Sequence, residues 1–286
     1  MPTSDQPLHA VVIPVFGSDS TSPELLAYLR ALVEADVMVV LVDNNPIAVV
    51  DAALLPNRCQ LIVNRNQGGI AGGLNRGIAW AREAGARFIT LLDQDSRIDV
   101  ARIRCLWEPL IQQPERRLVV GPIIWDAQRH TRHGRWCASD DGLDLTRLLI
   151  SSGTTFRSSD WPELGHLHED LCIDFVDHAW CFRAQARGFV LVQHRAVVLN
   201  QQFGSVHPSS LCRRLGLQLY SPMRHYYGLR NLRWLCLQSY VPLDLKIKEC
   251  LKMALKPWLW LLLEPQRWAN LRAITAALLA PLPGPY

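Results

Sequence analysis

The chain has 286 residues, of which 49% are hydrophobic and 20% charged. That balance excludes a disordered chain and suits one large core with an appendage. The net charge of +4 is unevenly spread: residues 1–177 hold 16 Arg, no Lys and 23 acids, a net of −7, whereas residues 178–286 hold 14 cations and 3 acids, a net of +11. A basic face is therefore expected to meet an anionic partner. No apolar run approaches the ~18 residues needed to span a membrane. With no leader-like start, the eight scattered Cys read as reduced thiols of a cytoplasmic protein.

Residues 9–16 (HAVVIPVF) read as a buried strand. Ser22-Pro23-Glu24 then opens a helix, with an N-cap, a proline at the first helical position and an acid in the first turn. Residues 37–42 give a second strand ending at Asp43-Asn44-Asn45, and residues 61–63 a short third. Residues 70–84 form a helix stopped at Gly85, and residues 88–92 (FITLL) a fourth strand ending at Asp93-Gln94-Asp95. Residues 148–156 and 189–192 are further strands, and from about 210 the pattern is helical. Strands alternating with helix-sized segments predict an α/β fold with parallel βαβ units. Ligands of such sheets bind beyond the carboxyl ends of the strands, where Asp43, Asn64 to Asn66, and Asp93 to Asp95 cluster.

Asp93 and Asp95 sit just past a buried strand and suit a shared hard cation, Mg²⁺ or Mn²⁺, which takes oxygen ligands. The same tripeptide also suits a capped turn. The run 66–75 (NQGGIAGGLN) joins a strand to a helix and fits either close approach to an anion or tight helix–sheet packing. It lacks both the dinucleotide and the Walker spacing. Asp177 precedes a short helical pattern and reads as a general base or as an N-cap. His178 is expected to point elsewhere. Arg224, Arg230 and Arg233 suit phosphate, carboxylate or a structural salt bridge.

In this order, VVIPVFG (11–17), LVDNN (41–45), NQGGIAGGLNRGI (66–78), LLDQDS (91–96), ISSG (150–153), CIDFVDHAWCFR (172–183) and RHYYGLRN (224–231) resemble a family 2 glycosyltransferase of the GT-A fold. The resemblance is narrower to bacterial rhamnosyltransferases that build surface polysaccharides. It implies a Rossmann-like, mostly parallel mixed sheet over residues 1–235 and a helical, basic, Trp-rich extension over 236–286. It also implies a metal-dependent, inverting transfer of a deoxysugar, L-rhamnose from dTDP-L-rhamnose, to a saccharide acceptor that is lipid-linked. Asp177 matches the base, and Asp95 and Asp93 match the metal ligands. Pro14, Asp43, Asn66, Gly69, Asn75, Asp93, Gln94, Ser152 and Gly153 match the nucleotide and donor site, and Trp180 the acceptor side. Asp174 reads as structural or acceptor-facing. Gln201 stands where the family often has a histidine, and His207 is a substitute for it. Another UDP-, GDP- or dTDP-sugar as donor, or a silent nucleotide- or carbohydrate-binding protein, are the alternatives. A nucleotidyltransferase is disfavoured, because residues 16–19 lack a glycine-rich basic loop.

In residues 244–263, Ile247, Leu251, Leu255, Leu259 and Leu262 form an apolar stripe beside Lys248, Lys252 and Lys256. The helix is expected to run on or to break near Pro257. Basic residues beside Trp and Leu suit an interfacial helix on an anionic membrane, so residues 244–282 are expected to dock at the cytosolic face; packing on the main domain with solvated lysines is the plain alternative. No nucleic-acid-binding signature is present.

Overall fold

The computed structural model describes residues 9–127, 130–201, 205–206 and 218–285. Three neighbouring strands start the sheet: β1 (His9–Val15), β2 (Met38–Asp43) and β3 (Cys59–Val63), with α1 (Pro23–Glu34) between the first two. Next come α2 (Gly69–Glu83), β4 (Phe88–Leu91), α3 (Glu108–Gln112) and β5 (Leu118–Asp126). The middle holds the short strands β6 (Thr131–Arg132), β7 (Trp136–Cys137), β8 (Leu143–Thr146) and β9 (Thr155–Arg157), then α4 (Trp161–Leu164), α5 (Val176–Ala186) and β10 (Val190–Gln201). Three helices follow: α6 (Pro222–Leu237), α7 (Leu243–Leu263) and α8 (Arg267–Leu279). The expected boundary at 235 thus falls inside α6, two residues before its end.

The strands form one mixed sheet in the order β3-β2-β1-β4-β9-β5-β10-β8-β7, with β6 on β5. The strands β1, β2, β3 and β4 pair in parallel, as do β5 and β10, while β9 runs antiparallel between β4 and β5. Successive side chains of a strand face opposite sides, and both sides of this sheet are covered. Val12, Val40 and Val42 pack with Leu74 and Ile78 of α2 on one side. Val11, Ile13, Val39 and Leu41 pack with Leu25, Leu29 and Leu32 of α1 on the other. Registers of Val15 with Asp43, Asp43 with Val63, and Val12 with Leu91 align the carboxyl ends at one edge.

One expected strand is largely absent. Residues 148–152 do not pair with the sheet; Gly153 N–H and the Thr154 carbonyl bond to Leu91 of β4, and the strand proper begins at Thr155. The Thr154 hydroxyl donates to the Ile150 carbonyl at 2.6 Å, and Gly153 sits at φ +88°. A Cβ at Gly153 would lie 2.4 Å from Pro122, so glycine is required by both backbone and space. The resulting bend brings Ser151 and Ser152 to the carboxyl edge.

α7 is one helix with Pro257 inside it. Its partners are α6 and α8, joined by a buried polar node. His225 Nε2 lies 2.8 Å from Glu264 Oε2, which also accepts from Asn270 Nδ2 at 2.8 Å, and the His225 ring stacks on Trp260 at 3.9 Å. A buried polar set joined in this way ties the three helices together, although Asn270 Oδ1 has no partner among the described residues. Gly284 then returns to the main body, its carbonyl 3.0 Å from His168 Nε2 and its N–H donating to Asp170 at 3.2 Å.

Candidate active site

A cleft of about 1240 Å³ opens beyond the carboxyl ends of β1 and β4. Pro14, Asp93, Gln94, Asp95 and Asp177 all line it. The turn after β4 is tied from several sides. Asp93 N–H donates to Ser152 Oγ at 3.3 Å, and Arg97 donates to the carbonyls of Gln94 and Ser96 at 2.7 and 2.8 Å. The Gln94 amide pairs with both backbone groups of Phe16, at 2.6 and 3.0 Å, and so locks the end of β1 to this turn.

Asp177 lies in the first turn of α5, where the helix dipole favours an acid. Phe175, at φ +63°, precedes the helix, so Asp177 is not its N-cap. Burial pushes the Asp177 carboxyl up to about 6, against hydrogen bonds from the backbone and side chain of Ser151 that oppose the rise. Burial, and then the charges of Asp177 and Asp95, push Asp93 up to about 7. Three acids thus face one space with their mutual repulsion uncompensated. A folded-state value above the ordinary 3.8 means that the folded protein binds the proton more tightly, so stability falls as pH rises from about 4 towards 7. Asp93→Asn is therefore expected to raise the Tm by a few degrees at pH 8 in chelator, with little change below pH 4; an unaltered Tm at pH 8, read by calorimetry, refutes the repulsion.

The other expected donor residues lie behind this surface. Asp43 is fully buried, and its carboxylate accepts from Asn45 N and Nδ2 at 3.0 and 2.7 Å and from Val49 and Val50 N–H at 2.7 and 3.0 Å. Those four bonds fill a carboxylate's acceptor capacity, so Asp43 shapes the loop after β2. Asn66 accepts from Asn44 Nδ2 at 3.3 Å. Gly69 allows α2 to meet the 172 loop: a Cβ there would lie 2.6 Å from the Cys172 carbonyl oxygen. Asn75 bridges Leu167, by its carbonyl and N–H, and Glu169. In this run packing outweighs ligand contact, and Ile70 is its cleft-lining member. Ser152 and Gly153 support the bend, while Ser151 lines the cleft.

Two orientations differ from expectation. Trp180 does not face the cleft: it is buried, with its indole N–H donating to the Gly165 carbonyl at 2.9 Å and its ring 5.9 Å from Phe156. His178 does line the cleft, and burial holds its imidazole down at about 4. Gln201 also lines the cleft and accepts from Ser96 Oγ at 3.1 Å. His207 lies outside the described residues.

The segment leading to Asp177 carries positive φ at Cys172, Asp174 and Phe175, a conformation that costs L-residues energy and needs outside support. Fully buried Asn231 on α6 supplies it, donating to the carbonyls of Leu171, Ile173 and Asp174 at 2.8, 2.8 and 3.0 Å. Arg224 forks onto Asp174, with contacts of 2.5 and 3.3 Å. Arg230 donates to the Asp170 carbonyl, and Arg233 to those of Ala277 and Ala280. The three arginines therefore serve structure. Asn231 and Ser151 were missed as site residues although both lie within the quoted motifs.

Lys248, Lys252 and Lys256 line the cleft, on a different face of α7 from its apolar stripe. The stripe is exposed, with Leu251 and Leu255 at 63% and 66%. Among the described residues, no helix is long and apolar enough to cross a membrane. Also among these, no group of three or more His, Cys, Asp or Glu is arranged to hold a metal by itself. Mg²⁺, however, is commonly held by one or two carboxylates and completed by substrate phosphates, and Asp93 and Asp95 fit that donor set.

The Glycosyl transferase family 2 pattern matches residues 10–164. A dTDP-rhamnosyl transferase RfbF of Shigella flexneri is 28% identical over 261 residues, covering 85% of this chain and 84% of that relative. GalNAc-T7, solved with UDP, GalNAc and Mn²⁺, superposes with a TM-score of 0.54 at 12% identity, over 83% of this chain and 49% of its own, so the present chain spans about half of it. S. aureus TarS 1–349 in complex with UDP-GlcNAc gives 0.53 at 15% identity, over 94% and 81% of the two chains. At these identities the two structures bear on the fold alone, and they agree with the GT-A architecture. With its signature turns gathered at one sheet edge and the family pattern running through more than half its length, the chain belongs to glycosyl transferase family 2 and is a glycosyltransferase.

Proposed function

We propose that the protein is an inverting transferase that moves L-rhamnose from dTDP-L-rhamnose to a lipid-linked saccharide acceptor in surface polysaccharide assembly. The observation that carries this reading is the meeting of Asp93, Asp95 and Asp177 in one cleft at the carboxyl edge of the sheet. The donor identity rests on the likeness to the Shigella flexneri enzyme. Asp177 takes the proton of the acceptor hydroxyl as its oxygen bonds to the anomeric carbon. The bond from that carbon to the diphosphate breaks, and its electron pair leaves with the nucleotide. A carboxyl held at about 6 suits this task, being ionised at neutral pH yet basic enough to hold a proton. Ser151 orients it. Asp95 and Asp93 would hold a divalent cation, which when bound offsets the charge of the leaving diphosphate as a Lewis acid.

The test is a thermal-shift panel of nucleotide sugars with and without Mg²⁺ or Mn²⁺. A donor at 100 times its Kd stabilises by about 2.7 kcal/mol, so dTDP-L-rhamnose with cation is expected to give the largest shift. Asp95→Ala is expected to remove the cation-dependent part; a shift equal to wild type in Mn²⁺ refutes the metal assignment.

The exposed α7 stripe supports peripheral attachment to an anionic membrane face. Trp258 and Trp268 extend the apolar surface, as in an interfacial helix. Co-sedimentation with anionic vesicles is expected, reduced by salt and largely lost in a Leu251→Ser/Leu255→Ser variant. Equal sedimentation of that variant speaks against attachment through α7.

A further inference from the structure

The cleft carries both signs of charge. The acids Asp93, Asp95 and Asp177 line it, and so do cations from α7 and from the segment between β6 and β7. Several cations of the basic wall are already paired. Arg147 meets Asp244 at 2.7 Å, Arg224 meets Asp174, and Lys252 meets Glu249, both at 2.5 Å. Among the described residues, Lys248, Lys256 and Arg135 have no such carboxylate, yet all three line the cleft. Burial and the neighbouring Lys252 ammonium lower the Lys256 affinity for its proton.

We propose that Lys248, Lys252 and Lys256, with Arg135 from the segment between β6 and β7, form the binding site for a phosphate or diphosphate carried by the acceptor. This rests on the glycosyl-transfer reading above. Three features favour the acceptor over the donor. The lysine wall adjoins the base: Asp174 and His178 on the Asp177 segment interact electrostatically with Lys256 and Lys252 respectively. The lysines recur every four residues, steps of about 6 Å along the helix, which suits a group with several charges better than one carboxylate. Finally, each lysine directly follows an exposed apolar residue, Ile247, Leu251 or Leu255. A ligand with an anionic head and a hydrocarbon tail would place its head in the cleft and its tail along the stripe. α7 is then a wall of the acceptor site.

Octyl diphosphate and inorganic pyrophosphate, titrated calorimetrically into the full chain in chelator, isolate the basic lining, since without a cation the three acids repel both. Octyl diphosphate is expected to bind wild type, and to bind Lys248→Ala/Lys256→Ala at least tenfold more weakly, the scale of a lost charge-assisted hydrogen bond. Asp95→Ala is expected to leave that affinity unchanged, and pyrophosphate to bind more weakly than the alkyl form. The proposal is overturned by absence of binding without cation, by an unaffected lysine variant, by loss of binding in Asp95→Ala, or by equal affinity for the two probes. Single Lys248→Gln and Lys256→Gln variants serve if the double variant misfolds. No donor is used, so a chain that binds octyl diphosphate but transfers no rhamnose from dTDP-L-rhamnose refutes the proposed reaction while leaving this site standing.

Discussion

Asp177→Asn is expected to lower kcat by about 10²- to 10⁴-fold, the contribution of a positioned general base, with donor affinity nearly unchanged. Asn has the shape of Asp and can still accept from the two Ser151 donors that hold the native side chain, so the variant keeps its geometry and loses only proton affinity. The wild-type pH profile carries the same signature. The base must be ionised, so kcat/KM is expected to rise with pH through about 6 and then level off. Asp93, at about 7 without cation, adds an inflection that bound cation moves to lower pH by favouring the carboxylate. Steady-state rates over about pH 5 to 8 test both statements. Wild-type turnover in the variant, or an unchanged acid limb near pH 6 in saturating cation, removes Asp177 from the role.

The second large effect is expected at a residue that need not touch substrate. Asn231→Ala withdraws the donors that three carbonyls share. Leaving buried acceptors unpaired costs about 1–3 kcal/mol each, and part of that is recovered as the loop relaxes. A net loss of about 2–4 kcal/mol follows. The relaxation releases the positive φ angles at Cys172, Asp174 and Phe175 and shifts Asp177 with them. A displacement of about 1 Å at a reacting group costs on the order of 10²-fold in rate. The discriminating readout is a fall in kcat with little change in donor KM, measured well below the variant's Tm. A variant that is less stable but retains wild-type kcat shows that Asn231 supports the fold without positioning the base.

Much of this was legible in the sequence, for definite reasons. The runs HAVVIPVF and FITLL are apolar at successive positions because both faces of β1 and β4 are covered. Their polar ends then mark the ligand edge. What was not legible depended on contacts made at a distance. Asp43 stands at the expected strand end, but nothing in DNNPIAVV announces that the next loop turns its N–H groups onto the carboxylate. The bend at 150–154 is hidden because Leu148 to Ile150 and Phe156 read as a strand until Pro122 is placed against Gly153. α5 is buried at almost every position from Ala179 to Ala184, so no polar face indicated which way Trp180 would turn. On α7 the periodicity defined two stripes, while the choice of which faced the cleft was made by the distant His225, Glu264 and Asn270 node.

The brace on residues 168–174 has a consequence for how the enzyme is made. Chains leave the ribosome N-terminal part first, at roughly 5–20 residues per second. The strands that carry Asp93 and Asp95 emerge early, and so does Asp177 itself. Arg224, Arg230 and Asn231 follow later, and Gly284, which fastens to His168 and Asp170, later still. A nascent chain therefore possesses Asp93, Asp95 and Asp177 before it possesses the clamp on the segment that carries Asp177. On the roles proposed above, the base is aimed only once α6 to α8 dock, so the helices proposed to wall the acceptor site would also time the onset of activity.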